Sequence, residues 1–163
     1  MKTLLRSLIL LALVVWLGAE IFFPVVAAVT FTTLQGNTHV AGTIVGQLLR
    51  ILHSMGLVCG IVLLALLALA PAWNIFRSKS VLAPMMSVLL MLVATAYSQF
   101  IIIPHMERDR IAAGGAIDTT DIASPQTQDF NRLHTLSTDV EGAVLLLGLL
   151  TVILVARSET VRQ

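Results

Sequence analysis

The sequence predicts an all-α integral membrane protein, a bundle of four transmembrane helices. Charged residues make up only 12% of the chain and hydrophobic residues 57%, whereas a soluble domain carries about 25% and about 45–50%, respectively. The chain also contains four largely apolar stretches of about the 20 residues that a bilayer-spanning helix needs. These observations indicate a single membrane domain over 1–163. Its expected partner is the lipid bilayer that surrounds it.

The first two helices are predicted over residues 4–29 and 42–70. The first contains one acidic residue, Glu20, and its apolar run is far longer than the core of a secretory signal, so we expect it to be retained. The connection between the helices, 30–40, is short, polar and free of Lys and Arg. The second helix carries three polar or ionisable residues in its first three turns.

The third helix is predicted over residues 81–103. It contains no charged residue, and we expect it to end at Pro104, because proline cannot supply the N–H group that continues a helix. The polar segment that follows, 105–124, is rich in Asp, Thr and Gly. We expect it to form an extracytoplasmic loop.

The fourth helix is predicted over residues 125–156. Ser124 and Pro125 are typical of a helix start, with serine as the N-cap and proline at the first helical position. The strictly apolar part, 142–156, is too short to cross a bilayer alone. The membrane-embedded part must therefore include the polar residues of 136–141.

The basic residues predict the orientation of the bundle, because Lys and Arg concentrate in short cytoplasmic loops. Six lie on the side of the chain termini: Lys2, Arg6, Arg77, Lys79, Arg157 and Arg162. Three lie on the opposite side: Arg108, Arg110 and Arg132. We therefore expect a multi-pass protein of the plasma or inner membrane with both termini in the cytoplasm (N-in/C-in).

The ionisable residues within the predicted spans all fall in the extracytoplasmic half. Such residues are costly in a bilayer, at about 2.5–3.5 kcal/mol on insertion scales, and are usually paired or functional. We expect an ion pair of Arg50 with Glu20, Glu141 or both to stabilise the bundle, and the same cluster to form a binding chamber for a small ligand, ion or partner. Its predicted members are Glu20, Gln47, Arg50, His53, Gln99, His134, Ser137 and Glu141.

Four glycines, one arginine and one histidine form a stripe along one face of the second helix. The members, spaced by three or four residues, are Gly42, Gly46, Arg50, His53, Gly56 and Gly60. Glycines at this spacing let a second helix approach closely. We therefore predict helix packing at the four glycines, with Arg50 and His53 pointing into the bundle.

Two histidines suggest an alternative chemistry. His53 and His134 lie near the same end of two predicted helices, and imidazoles on facing helices can ligate haem or a metal ion. The chain has no Cys/His cluster and only one cysteine, Cys59, so hydrogen-bonded histidines at a wet helix end are the favoured interpretation. No cofactor is firmly predicted, and haem or a metal ion stays open.

Several stretches resemble a known family. They are WLGAEIFF at 16–23, FTTL at 31–34, GQLLRILHSMG at 46–56, IPHM at 103–106 and FNRLHTLS at 130–137. Together they resemble the transmembrane-protein-205-like family, small four-helix membrane proteins catalogued largely as a domain of unknown function. A more distant likeness is to copper-resistance-D-like and haem-binding protoporphyrinogen-oxidase-like membrane proteins.

The chain departs from the first family's pattern at two positions, with His53 in place of an aromatic residue such as Tyr and Glu141 in place of Asn. These departures give the predicted binding chamber more ionisable side chains than the family pattern implies. A non-enzymatic binding protein is the preferred interpretation, since no nucleophile elbow, zincin helix or phosphate loop is present. A redox protein and a transporter or channel component are the alternatives. We expect no nucleic-acid partner, while a membrane-protein partner or homo-oligomer stays open.

Overall fold

The structure is a computed structural model that describes residues 2–113, Ile117 and 124–160, without the side chains of 159 and 160. Every regular element in these residues is helical. In chain order they are α1 (Lys2–Thr33), α2 (Thr38–Leu69), α3 (Leu82–Tyr97), a π-helical turn (Ser98–Ile102), α4 (Ile103–Ala112) and α5 (Pro125–Thr160). Four helical stretches are long and apolar enough to cross a membrane: Lys2–Thr33, Thr38–Leu69, Leu82–Ala112 and Pro125–Ser158. The predicted fold class is confirmed.

The first two helices are longer than the sequence predicts, because most of the polar connection between them is helical. The hydroxyl groups of Thr30 and Thr32 donate to carbonyl oxygens one turn earlier, at 2.8 and 2.9 Å. Such bonds satisfy the hydroxyl without breaking the helix. Asn37 then caps α2, its side-chain oxygen accepting from the backbone N–H of Val40 at 3.2 Å. The remaining turn makes α1 and α2 antiparallel neighbours.

The predicted end of the third helix at Pro104 is wrong, because the helix continues through the π-helical turn into α4. In that turn the backbone N–H of Ile103 donates to the carbonyl of Ser98, five residues earlier. The wider turn lets Pro104 occupy the first turn of α4, where its missing N–H is tolerated. Residues 105–112 are therefore helical rather than loop. The rest of the predicted loop, except Ala113, Ile117 and Ser124, lies outside the described residues.

The fourth spanning helix, α5, starts where the sequence predicts. The Ser124 hydroxyl accepts from the backbone N–H of Thr127 at 3.2 Å, so the serine acts as the N-cap. The helix runs to Thr160, four residues past the predicted end at 156. Two bonds fix its antiparallel register against α3: Thr151 Oγ1 donates to Ser87 Oγ at 2.9 Å, and Ser158 Oγ donates to the carbonyl of Ser80 at 3.0 Å.

The helices form a ring in which α1 packs against α2, α2 against α3, α3 against α5, and α5 against α1. The core at the centre of the ring contains Trp16, Leu63, Leu67, Met91 and Val144. Many large apolar side chains cover the outside, as expected where lipid is the solvent. Below, "terminal end" means the end that holds Lys2 and the turn between α2 and α3, and "distal end" means the opposite end.

Candidate binding site

The centre of the candidate site is a contact between α2 and α5, which lie diagonally across the ring. His53 Nε2 lies 2.6 Å from Glu141 Oε1. The imidazole is fully buried, at 0% exposure, and its Nδ1 lies 3.1 Å from Gln99 Oε1. Both ring nitrogens face oxygen atoms, and both can donate only in the imidazolium form. The pair thus connects α2 to α5 through the middle of the bundle.

The π-helical turn supplies two of the polar partners. Ser98 Oγ donates to Glu141 Oε1 at 3.3 Å, and the next residue, Gln99, contacts His53. The turn lies at the level of both side chains, so two consecutive residues reach two different members of the site. Short π-helical turns within α-helices frequently occur at functional sites. Three helical stretches therefore converge on the His53–Glu141 contact.

A second carboxyl group comes from α1. Glu20 is buried, and its Oε1 accepts from Trp16 Nε1 at 3.2 Å, one helical turn away. Glu20 also lies close enough to Glu141 for the two carboxyl groups to interact electrostatically. Glu20, His53 and Glu141 together are called the carboxyl–imidazole cluster. It combines two acids with one imidazole.

A cleft of about 400 Å³ opens beside this cluster between α1 and α5. Its polar wall consists of Glu20, Ser137 and Glu141, together with Thr138, and the rest is apolar. Ser137 is buried. The second oxygen of Glu141, Oε2, is buried and has no hydrogen-bond partner among the described residues. The cleft therefore contains more acceptors than donors.

The predicted ion pair of Arg50 is wrong, because Arg50 pairs with neither Glu20 nor Glu141. Arg50 precedes His53 by three residues, which rotates it by about 60° around α2 and moves it about 4.5 Å toward the distal end. At that angle Arg50 is exposed, as is Gln47. Both line a different cavity, and His53 occupies the place beside Glu141. Arg50 and Gln47 are therefore not members of the carboxyl–imidazole cluster.

His53 and His134, the alternative pair of haem or metal ligands, lie in separate surroundings. His134 is exposed and stacks on Phe130, with ring centroids 6.2 Å apart and planes inclined by 3°. The nitrogens of His53 are already engaged by Gln99 and Glu141. No group of three or more His, Cys, Asp or Glu side chains with a metal-binding arrangement occurs in the part of the chain that the structure describes.

The glycine stripe packs closely only in its second half. A Cβ atom on Gly56 would lie 2.6 Å from Trp16 Nε1, and one on Gly60 would lie 2.5 Å from Leu92 Cδ2. At Gly42 and Gly46 a Cβ atom would meet nothing within 4 Å, so the predicted packing role of these two is wrong. They line the cavity that contains Arg50, where α2 leaves space.

Comparison with known proteins identifies a family for this chain. The model of a family described as "Domain of unknown function (DUF4149)" matches residues 11–111. The chain belongs to the DUF4149 family. Neither a curated protein nor a solved structure matches it. The DUF4149 match contains Glu20, His53 and Gln99 but ends before Ser137 and Glu141. Three of the four residues of the polar wall therefore lie beyond it.

Two further residues of the site, Trp16 and Ser98, are not among the cluster members that the sequence predicts. Trp16 packs in the core and also donates to Glu20. The spacing of four residues between Trp16 and Glu20 is a usable signal, because side chains at that spacing are neighbours on a helix. Ser98 reaches Glu141 through the π-helical turn, and a turn of this kind leaves no recognisable pattern in the sequence.

Proposed function

We propose that this protein is a membrane-embedded binding protein whose carboxyl–imidazole cluster has two roles. The cluster stabilises the bundle, and the cleft beside it binds a small amphipathic ligand that donates hydrogen bonds, such as an organic amine. The observation that carries the proposal is Glu141 Oε2, a buried carboxyl oxygen without a hydrogen-bond partner in the described part of the chain. A buried acceptor left without a donor costs about 1–3 kcal/mol, so a bound donor is favoured there.

The charges of the cluster favour a cationic or hydrogen-bond-donating ligand over an anion. Glu20 and Glu141 bring two carboxyl groups, and His53 is an ionisable side chain that contacts Glu141. A protonated amine at the polar wall would contact both acids and reduce their repulsion. An anion would face the same two acids and be repelled.

The apolar part of the cleft favours a ligand with a hydrocarbon portion. Phe23, Pro24 and Ala27 of α1 face Leu145 of α5 there. A volume of about 400 Å³ falls within the range of about 300–1,000 Å³ that is usual for small-molecule pockets. A ligand with an amine group beside the two acids and a short alkyl or aromatic group along α1 would fit both the polar wall and the apolar part of the cleft.

Detergent-purified protein titrated with hexylamine tests this proposal, with hexanoate as the anionic analogue. We expect hexylamine to raise the thermal unfolding midpoint saturably, because ligand binding to the folded state stabilises it, and hexanoate to have no such effect. Glu141→Gln should remove the response. Asp139→Asn should keep it, because Asp139 is an exposed acid on the same helix. An equal response in wild type and Glu141→Gln, or no response in wild type, overturns the proposal.

The alternatives have less support. Haem or metal ligation by His53 and His134 is disfavoured by the separate environments of the two imidazoles, and an absorption spectrum with metal analysis of the purified protein tests it. A water-filled path for transport would have to pass the packed core residues Leu63, Leu67 and Met91, so the apolar terminal half supports binding rather than passage.

We also propose which membrane contains the protein, on which side its termini lie, and which narrower family it resembles. We place the protein in the plasma or inner membrane with both termini in the cytoplasm, supported by the six basic residues on the terminal side against three on the other. The distal end is then extracytoplasmic. The likeness to the transmembrane-protein-205-like family is supported by the motif at 130–137, which lies beyond the DUF4149 match.

A further inference from the structure

A second cavity lies at the distal end between α2, α4 and the start of α5. It has a volume of about 210 Å³. Thr43, Gln47 and Arg50 line it from α2, and Glu107 and Arg110 line it from α4. It differs from the cleft beside the carboxyl–imidazole cluster in position and in charge, since two guanidinium groups and one carboxylate line it.

The hydrogen bonds around this cavity leave donors unused. Arg110 donates through Nη2 to Glu107 at 2.8 Å and through Nη1 to Thr43 Oγ1 at 2.5 Å. Its Nε is buried and has no hydrogen-bond partner among the described residues. The Arg50 side chain is exposed and makes no ion pair or hydrogen bond with another described residue. With Glu107 already paired, the cavity retains one positive charge in excess.

The cavity lies on the distal side of the carboxyl–imidazole cluster, where we expect the edge of the hydrocarbon region. Arg50 lies one helical turn from His53 toward the distal end, and Arg110 lies near the distal end of the third candidate span, Leu82–Ala112. A charged side chain at the edge of the hydrocarbon region is favoured when it reaches an anionic head group. Arginine is also suited to phosphate, because its planar fork can donate two parallel hydrogen bonds to phosphate oxygens.

We propose that this cavity binds a phosphate group, which is held by Arg50 and by the free Nε of Arg110, with Gln47 as a further donor. The phosphate can belong to a lipid head group or to a free anion, since the recognition chemistry is the same. The site is independent of the proposed amine-binding cleft. Leu49 is the residue that the linings of both cavities share.

Calorimetric titration of delipidated protein in an uncharged detergent tests the proposal with two probes, inorganic phosphate and dihexanoyl phosphatidylglycerol. The variant is Arg50→Gln, which removes an exposed side chain and no buried contact. Arg132→Gln is the matched control, because Arg132 is an exposed arginine of α5 outside the cavity. We expect saturable binding to wild type, an affinity at least about tenfold lower in Arg50→Gln, and an unchanged affinity in Arg132→Gln.

The two probes distinguish the sources of the phosphate. Arg50-dependent binding of the lipid alone supports a head-group site, and Arg50-dependent binding of inorganic phosphate alone supports a free-anion site. Binding of both supports a site for the phosphate group itself. Absence of binding to wild type, or equal affinities in Arg50→Gln and Arg132→Gln, overturns the proposal.

Discussion

At the scale of single residues, the site depends on how each buried carboxyl oxygen finds a donor. Glu20 has Trp16, Glu141 has His53 and Ser98, and one oxygen of Glu141 has none among the described residues. The bonds of Glu141 connect different helical elements, whereas the bond between Trp16 and Glu20 lies within α1. Trp16 is unusual among them, because it also occupies the space that Gly56 leaves open.

We expect Trp16→Phe to lower the free energy of unfolding by about 1–3 kcal/mol, because the buried Glu20 loses its indole donor while most of the apolar contact remains. Denaturation of purified protein in detergent measures the change. Trp73→Phe is the control, because Trp73 is exposed in the turn between α2 and α3. Equal effects of the two substitutions would show that the bond to Glu20 contributes nothing.

The members of the carboxyl–imidazole cluster could be predicted from the sequence, but their pairing could not. Glu20, His53 and Glu141 are polar positions at matching depth, and depth follows from chain position alone. The side chains that pair are decided by the rotation of each helix about its axis. A difference of about 60° around α2 separates the central His53 from the exposed Arg50. By charge alone an arginine is the expected partner of an acid, yet the shorter imidazole of His53 faces Glu141.

At the scale of elements, the helices were predictable in number and type, and their ends were not. The connection between the first two helices contains Thr and Asn residues that suggest a loop. Its threonines Thr30 and Thr32 bond back to α1, and Asn37 caps α2. The π-helical turn carries the third span past Pro104. Proline usually ends a helix because it lacks the N–H group, so the sequence predicts a break where the helix continues.

The packing of α1 on α2 gives a prediction at this scale. We expect Gly56→Ala to destabilise the protein by about 1–3 kcal/mol, because the added methyl group would overlap the Trp16 ring. Gly46→Ala should be neutral or stabilising, because that position faces open space and alanine is the better helix former by about 1 kcal/mol. Thermal unfolding in detergent compares the two. Equal destabilisation would contradict the close approach at Gly56.

At the scale of the whole molecule, the ring of four helices has a polar connection across its diagonal at the level of His53. The ring places neighbouring helices in direct contact, and α2 and α5 meet through side chains. Toward the terminal end the centre is filled by Trp16, Leu63 and Met91. The carboxyl–imidazole cluster therefore lies between this apolar core and the distal end.

The orientation of the whole molecule gives a further prediction. Reporter fusions after Ser78 should be cytoplasmic and fusions near Gly115 extracytoplasmic, because basic residues concentrate on the side of Ser78. Alkaline phosphatase and fluorescent-protein activities in cells measure this. The reverse pattern would place the carboxyl–imidazole cluster in the cytoplasmic half and contradict the proposed orientation.

A double-mutant cycle measures how strongly the contact between His53 and Glu141 holds the bundle together across its diagonal. Unfolding free energies of wild type, His53→Gln, Glu141→Gln and the double variant should give a coupling of about 0.5–3 kcal/mol, as for side chains in direct contact. The control cycle of His53→Gln with Asp139→Asn should give a coupling near zero, because Asp139 is exposed. A His53–Glu141 coupling no larger than that of the control would show that this contact does not stabilise the bundle.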